Sequence, residues 1–271
     1  MKIFAIRDET DEKEKDLAYL LYYEKAKQFY IELPEHADPW ETPLLLSSMV
    51  KRGEKTVNSY WSGLWVQLRI VPSDRQNLGQ ILRENGLETY DEYELLLLSK
   101  GRCAQDDYYL EQLEETELPE QIRKRYQYKI EDVVPVSEGK LMVFFRDGLI
   151  KCCDVAAIAK KLPELAPVLR NERLFRQVMI QTGGYGVSWG AQLCIPDEVL
   201  YEKGERIPLS IEDFKSFVAN RVINASEAAQ MLECTRQNIN DLVRRGRLHP
   251  IKSDSKNTLF LKREVERRLW Q

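Results

Sequence analysis

The sequence predicts a multidomain α+β protein that ends in a small winged helix-turn-helix. Three observations predict it. The last fifty residues carry two short amphipathic helical stretches parted by a few residues, followed by a basic hairpin pattern. Upstream, strand-like runs bounded by glycine alternate with short helical patterns. The charge also changes sign along the chain. Residues 1–120 carry 14 Lys or Arg against 25 Asp or Glu, residues 121–220 carry 15 against 13, and residues 221–271 carry 11 against 6. A chain of 271 residues suits two or three domains. The expected divisions are an acidic α+β domain over 1–119, a small α+β domain over 121–207, and a linking helix with the winged domain over 208–271.

In the first stretch, Lys2–Ile6 reads as a strand. DEKEKDLAYLLYYEKAKQFYIEL reads as helix, or helix then strand, with Leu17, Leu20 and Leu21 as an apolar face. Pro43 starts a helix that Gly53 follows. WSGLWVQLRIVP reads as a strand ending at Pro72. SDRQNLGQILRENGL is a helix stopped at Asn85-Gly86, and a further helix spans about Asp91 to Ser99. An acidic run leads to a boundary near Pro119.

In the middle stretch, residues 126–154 read as strands, with turns at Gly139 and at Asp147-Gly148. Val143, Phe145 and Ile150 mark the inward face, and Cys152 and Cys153 point to opposite sides. A helix follows from about Val155 and is broken at Pro163. Next comes a short helix or turn, then a hairpin bent at Gly183-Gly184 with Trp189 as a core anchor on the return strand. SIEDFKSFVANRV reads as the linking helix.

The winged segment is the most informative. Asn224 followed by Glu227 has capping-box spacing. Small residues Ala228 and Ala229 allow a second helix to cross closely. Thr235 is the next cap, and a helix runs from Arg236 to about Arg245, stopped by Gly246, with Ile239, Leu242 and Val243 inward. Arg236, Gln237 and Asn240 then fall on the exposed first turn and a half. Arg, Gln and Asn are the side chains whose paired donors and acceptors match guanine and adenine edges in the major groove. Thr235, Arg244, Arg245, Arg247, Lys252 and Lys256 are placed for phosphates, which position a protein without reading sequence. Leu248–Lys252 and Thr258–Leu261 are the expected wing strands. REVERRLW closes the domain through Val265 and Leu269.

Several classes are excluded by composition. No apolar run approaches a bilayer span, and the N-terminus lacks a signal-peptide core, so a cytoplasmic protein is expected. Five cysteines without a CxxC, and only His36 and His249, argue against disulfides and metal sites. No serine or cysteine has a histidine partner in view, and Asp106-Asp107 are neighbours that do not present two acids across a substrate. GGYG lacks the lysine and hydroxyl of a phosphate loop. No enzyme, cofactor or metal is expected.

The segment 222–271, with SEAAQML, a short turn, TRQNINDLVRRGRL, a basic wing and a closing helix, resembles the winged helix-turn-helix shared by excisionases and MerR-type regulators. That resemblance implies duplex DNA binding by the second helix and the wing. A MerR activator continues into a long dimerisation helix and an effector domain, whereas this sequence ends at Gln271, so sensing by that route is not implied. Residues 126–201, with IEDVVPVSEGKLMVFFRDGLIKCCDV, LRNERLFRQVMI and GVSWGAQLCIPDEVLY, resemble DUF2442, which implies a small α+β domain and no particular activity. Residues 70–110 resemble the small N-terminal subdomain of HipA-like toxin kinases without the catalytic body of that family, so no kinase activity is implied.

The sequence thus leads to the expectation of a sequence-specific double-stranded DNA-binding protein, a transcriptional or mobile-element regulator. A homodimer is expected, because one winged domain buries little surface on DNA. The first two domains would supply oligomerisation or contact with a protein partner. The alternative is an adaptor or antitoxin-like module without a DNA target.

Overall fold

The computed structural model describes the chain except Glu14, Ser137, Glu138, Ala191, Gln192, Ser255, Lys256, Arg267 and residues 269–271, together with the side chain of Arg263. Helices and small antiparallel sheets are mixed throughout, an α+β arrangement. The chain forms two compact units. One comprises Met1–Asp147 and Cys152–Glu205, the other Gly148–Lys151 and Arg206–Gln271. Most of the stretches 1–119 and 121–207 lies in the first unit, and the second takes Gly148–Lys151 together with the chain from Arg206.

The first unit begins with β1 (Lys2–Asp8), β2 (Ala18–Tyr23) and β3 (Gln28–Glu32). After α1 (Leu44–Lys51) come β4 (Thr56–Val57) and three helices, α2 (Ser59–Gln67), α3 (Leu78–Glu84) and α4 (Glu92–Ser99). β5 (Tyr108–Leu113) then completes an antiparallel sheet in the order β4-β3-β2-β1-β5. Two expectations fail here. The stretch around residue 20 is a hairpin, not a helix. Its sheet is buried on both faces, so AYLLYY shows no polar alternation. Phe4, Ile6, Leu20, Phe29 and Ile31 pack against Leu46, Trp65, Val66 and Leu96. Ile3, Ala5, Tyr19 and Leu21 pack on the other side against Leu118 and Ile122. The tight turn uses Lys27 in the left-handed region at φ 51°.

The second failure is WSGLWVQ, which is the helix α2. Asn58 caps it by accepting the Trp61 N–H at 3.1 Å. Ser62, Trp65 and Val66 form its buried stripe at helical spacing. Nor does the chain part at Pro119. Helix α5 (Glu120–Gln127) starts there and sends Ile122 into the sheet's second face.

The chain continues with β6 (Ile130–Pro135), β7 (Lys140–Phe145), which pairs antiparallel with β6, and β8 (Ile150–Asp154), of which Ile150 and Lys151 count with the second unit. α6 (Val155–Ala159) is capped by Asp154, and α7 (Ala166–Arg170) and α8 (Glu172–Phe175) follow. β9 (Met179–Ile180), β10 (Gly186–Trp189) and β11 (Leu193–Pro196) make a small antiparallel sheet, and α9 (Asp197–Lys203) closes the unit. Val143, Phe145 and Ile150 are fully buried, as read from the sequence, and Cys153 is buried as well although it lies three positions from Ile150, outside a strict two-residue alternation. Trp189 is buried and donates its indole N–H to the Phe175 carbonyl at 2.9 Å, so it anchors this core.

The second unit follows β12 (Glu205–Ile207) with α10 (Ile211–Arg221), β13 (Val222–Asn224), α11 (Ala225–Met231) and α12 (Arg236–Arg244). It ends with β14 (Lys252–Ser253), β15 (Thr258–Leu261) and α13 (Lys262–Glu266). Its sheet runs β13-β15-β14 and is antiparallel throughout. β13 was not expected. Its three residues are too few to show a period, and it exists because β15 supplies a partner. The first wing strand is shorter than expected, although Ile251 N–H still reaches the Leu259 carbonyl at 2.9 Å. The packing expected of Leu269 lies outside the described residues.

Candidate nucleic-acid interface

The helix pair of the second unit is built from local chemistry. Asn224 Oδ1 accepts the backbone N–H groups of Ser226 (2.8 Å) and Glu227 (3.1 Å), and Glu227 returns a carboxylate oxygen to the Asn224 N–H at 2.8 Å. The capping box therefore closes in both directions. The helix ends at Glu233, which adopts φ 48°. Glu233 N–H reaches the Gln230 carbonyl at 3.2 Å and Cys234 N–H reaches that of Ala229 at 2.9 Å. This is a Schellman closure with a non-glycine residue at its left-handed position.

Thr235 Oγ1 caps α12 by accepting the Asn238 N–H at 3.3 Å. Gly246, at φ 64°, ends it in the same way. Gly246 N–H meets the Val243 carbonyl at 2.9 Å, and Arg247 N–H meets that of Leu242 at 2.8 Å. Ile239, Ala228, Ala229, Leu248, Phe260 and Val265 form the core, with Leu242 and Val243 partly buried beside them. The two alanines let α11 and α12 approach closely.

At about 100° per residue, Arg236, Asn240, Arg244 and Gln237 occupy one arc about 100° wide, opposite Leu242. All four are exposed. Their commitments differ. Arg236 donates to the Ser226 hydroxyl on α11. Arg244 pairs with Asp241 at 2.8 Å. Gln237 and Asn240 have no side-chain partner among the described residues. Thr235 is spent on the cap. Arg245, Arg247 and Lys252 are exposed and form no ion pair among the described residues. Lys256 lies outside the described residues.

Of the nine residues expected to contact DNA, the face thus keeps two uncommitted amides and three uncommitted cations, while Arg236 and Arg244 would have to exchange partners. Sequence reasoning missed Ser226, whose hydroxyl holds Arg236. Helical spacing within one helix carries no signal for a partner on the neighbouring one. His249 is also engaged. Its ring and backbone N–H both meet Glu264 Oε1, at 3.0 and 2.8 Å.

Other groups singled out by sequence have structural explanations. In GGYG, Gly183 and Gly184 have φ 74° and 81°, and a Cβ on Gly184 would sit 2.3 Å from the Ile130 carbonyl oxygen. The glycines let the chain press against β6 and place Tyr185, which stacks on Tyr30 with 4.0 Å between centroids. Burial pushes the Tyr185 hydroxyl well above its ordinary pKa.

Around Tyr185 lies a buried ionic cluster. Lys129 Nζ sits 3.0 Å from Asp197 Oδ2 and 3.7 Å from Glu32 Oε1. Arg125 reaches Glu32 Oε2 at 3.0 Å. Lys129 also lies 3.9 Å from the Tyr185 ring centre. Burial raises the Asp197 pKa against the opposing pull of Lys129. The cluster ties α5 and β3 to α9, and its atoms have little access to solvent. Among the described residues no group of three or more His, Cys, Asp or Glu is placed to hold a metal ion, and no helix is long and apolar enough to cross a membrane.

No family model matches the chain, and neither a curated protein nor a solved structure matches it.

Proposed function

We propose that the protein is a sequence-specific duplex DNA-binding regulator that inserts α12 into the major groove and lays the β14–β15 wing along a phosphate backbone. The observation that carries this reading is the exposed arc of α12. Gln237 and Asn240 present amide groups with no partner among the described residues, on the face turned away from Ile239 and Leu242. Such amides match adenine edges. Arg245, Arg247 and Lys252 flank them with uncommitted positive charge suited to phosphates. Arg236 joins them by exchanging the Ser226 hydroxyl for a guanine edge. Two copies are proposed to act together on a paired site, in a cytoplasmic, non-enzymatic role. The reading rests on the residues of this chain and not on membership of a family.

The test is selection of bound duplexes from random DNA, followed by titration of variants against the selected and a scrambled duplex. Gln237→Ala and Asn240→Ala should each cost about 1–3 kcal/mol on the selected duplex and almost nothing on the scrambled one. Arg247→Ala should weaken both and lower the salt slope by about 0.9. Enrichment of no sequence, or an unchanged preference in both amide variants, would transfer this surface to the adaptor reading.

A further inference from the structure

Helix α10 of the second unit carries a face that the DNA reading does not use. None of its 11 residues is buried, and Phe217 and Val218 are 52% and 38% exposed. The helix is nevertheless well defined at both ends. Ser210 and Asp213 close a capping box at its start, and Arg221 leads directly into β13. A capped helix with large apolar groups in solvent gains by covering them.

The exposed face is ordered by charge. Asp213, Phe217 and Arg221 follow one another at intervals of four residues, a step of about 40° around the axis, so an acid, an aromatic ring and a base lie along one side. All three are exposed. Asp213 takes the Ser210 N–H at 3.3 Å and the Ser210 hydroxyl at 2.7 Å, both through Oδ2, which leaves Oδ1 without a donor among the described residues. Arg221 forms no ion pair among the described residues, and Phe217 stacks on no other ring there.

Such an order is complementary to its own reverse. A second α10 turned end for end about an axis through Phe217 sets ring against ring and each Asp213 opposite the Arg221 of the other copy, and the two helix dipoles then oppose each other. A parallel pair would set acid against acid and base against base. The face is also short. Its 11 residues rise about 16 Å, which falls below the roughly 800 Å² per partner of a stable complex. The pairing is therefore weak in the free protein and gains where something else holds two copies together.

We propose that α10 is the contact surface for a second copy of this chain, forming an antiparallel helix pair that is two-fold symmetric about Phe217, with Asp213 of each copy against Arg221 of the other. The pairing supplies a contact between the two copies of the DNA reading, and only that use of it rests on DNA binding.

The first arm of the test is sedimentation equilibrium of the full-length protein without DNA. The native chain should self-associate with a Kd on the order of 100 µM. Phe217→Glu, at a position that folding leaves exposed, should abolish this. Asp213→Lys and Arg221→Glu should each weaken it about five- to thirtyfold, because each reverses two symmetric surface pairs. An equimolar mixture of those two variants should recover near-native association, since every contact of the mixed pair again joins opposite charges. Loss of the Asp213 cap could not produce that recovery. In the second arm, on a selected duplex with two half-sites, Phe217→Glu should keep the native affinity for one half-site and lose about tenfold of cooperativity. Failure to enrich any duplex would remove the DNA reading and leave the first arm to decide the pairing. A native protein that stays monomeric up to about 0.5 mM would overturn the proposal. So would a dimer indifferent to Phe217→Glu, as one built on another surface would be, or a mixture that does not recover.

Discussion

Replacing Lys129 by methionine removes the cation shared by two buried carboxylates. Lys129 is 1% exposed, Glu32 0% and Asp197 4%. At an effective dielectric of about 20, charges 3.0 and 3.7 Å apart attract by about 5.5 and about 4.5 kcal/mol. Desolvating the lysine offsets several kcal/mol of that, so its removal should leave a net loss of about 3–5 kcal/mol. Glu32 keeps Arg125 at 3.0 Å, but no other cation is paired with Asp197 among the described residues.

The assay is urea unfolding followed by tryptophan fluorescence, which reports chiefly on the first unit because Trp40, Trp61, Trp65 and Trp189 belong to it. The pH dependence supplies a second readout. Without Lys129 the Asp197 carboxyl is pushed further up, and a raised carboxyl pKa gives stability that is complete at low pH and lost as pH rises through the folded value. The deficit of the variant should therefore shrink from pH 7 towards pH 4. Adding Glu32→Gln and Asp197→Asn to Lys129→Met should recover much of the loss, because no unpaired charge then remains buried. A deficit below about 1 kcal/mol, or one that does not change with pH, would refute the view that the cluster acts through charge.

Three further outcomes are expected. Ile239→Ala, in the small core of the second unit, should cost about 2–5 kcal/mol and abolish the α12 circular-dichroism signal while the tryptophan transition of the first unit stays in place. Glu233→Gly relieves a left-handed residue at φ 48° and should stabilise the second unit by up to about 1 kcal/mol, read as a higher Tm, with a lower Tm counting against the Schellman assignment. Asp91 caps α4 and bonds Lys27, which holds its pKa below the usual carboxylate value. Its stabilising charge is present above about pH 4 and lost below the folded pKa, so the stability difference between Asp91→Asn and the native protein should close as pH falls, and a constant difference would argue that charge plays no part.

Much of the helical framework was legible in the sequence. Asn224 and Glu227, Asp91, Pro43, Gly86 and Gly246 all act where their positions suggested, because capping joins residues only a few positions apart. The α12 register was legible for the same reason. One side of a helix is set by spacing alone, so burial of Ile239 and exposure of Gln237 and Asn240 followed from Thr235 as the cap. The alternation of Val143 and Phe145, and the hairpin turn at Gly148, were equally local.

The failures share a different cause. AYLLYY became a strand because α1, α2 and α4 cover one face of its sheet and α5 the other, a fact of assembly that leaves no polar alternation to read. WSGLWVQ is rich in aromatic residues and reads as a strand until its apolar groups are seen to meet the core at Ser62, Trp65 and Val66. Lys129 and Asp197 are 68 residues apart, and only the tertiary fold made them partners. The same holds for Arg69 with Asp106 and for Arg236 with Ser226. The sequence by itself determined where the capped helices α4, α11 and α12 begin and end and which face of α12 is exposed, because those depend on bonds spanning one turn. Only the tertiary structure decided which buried charges are paired, because each pair depends on groups brought together across the chain.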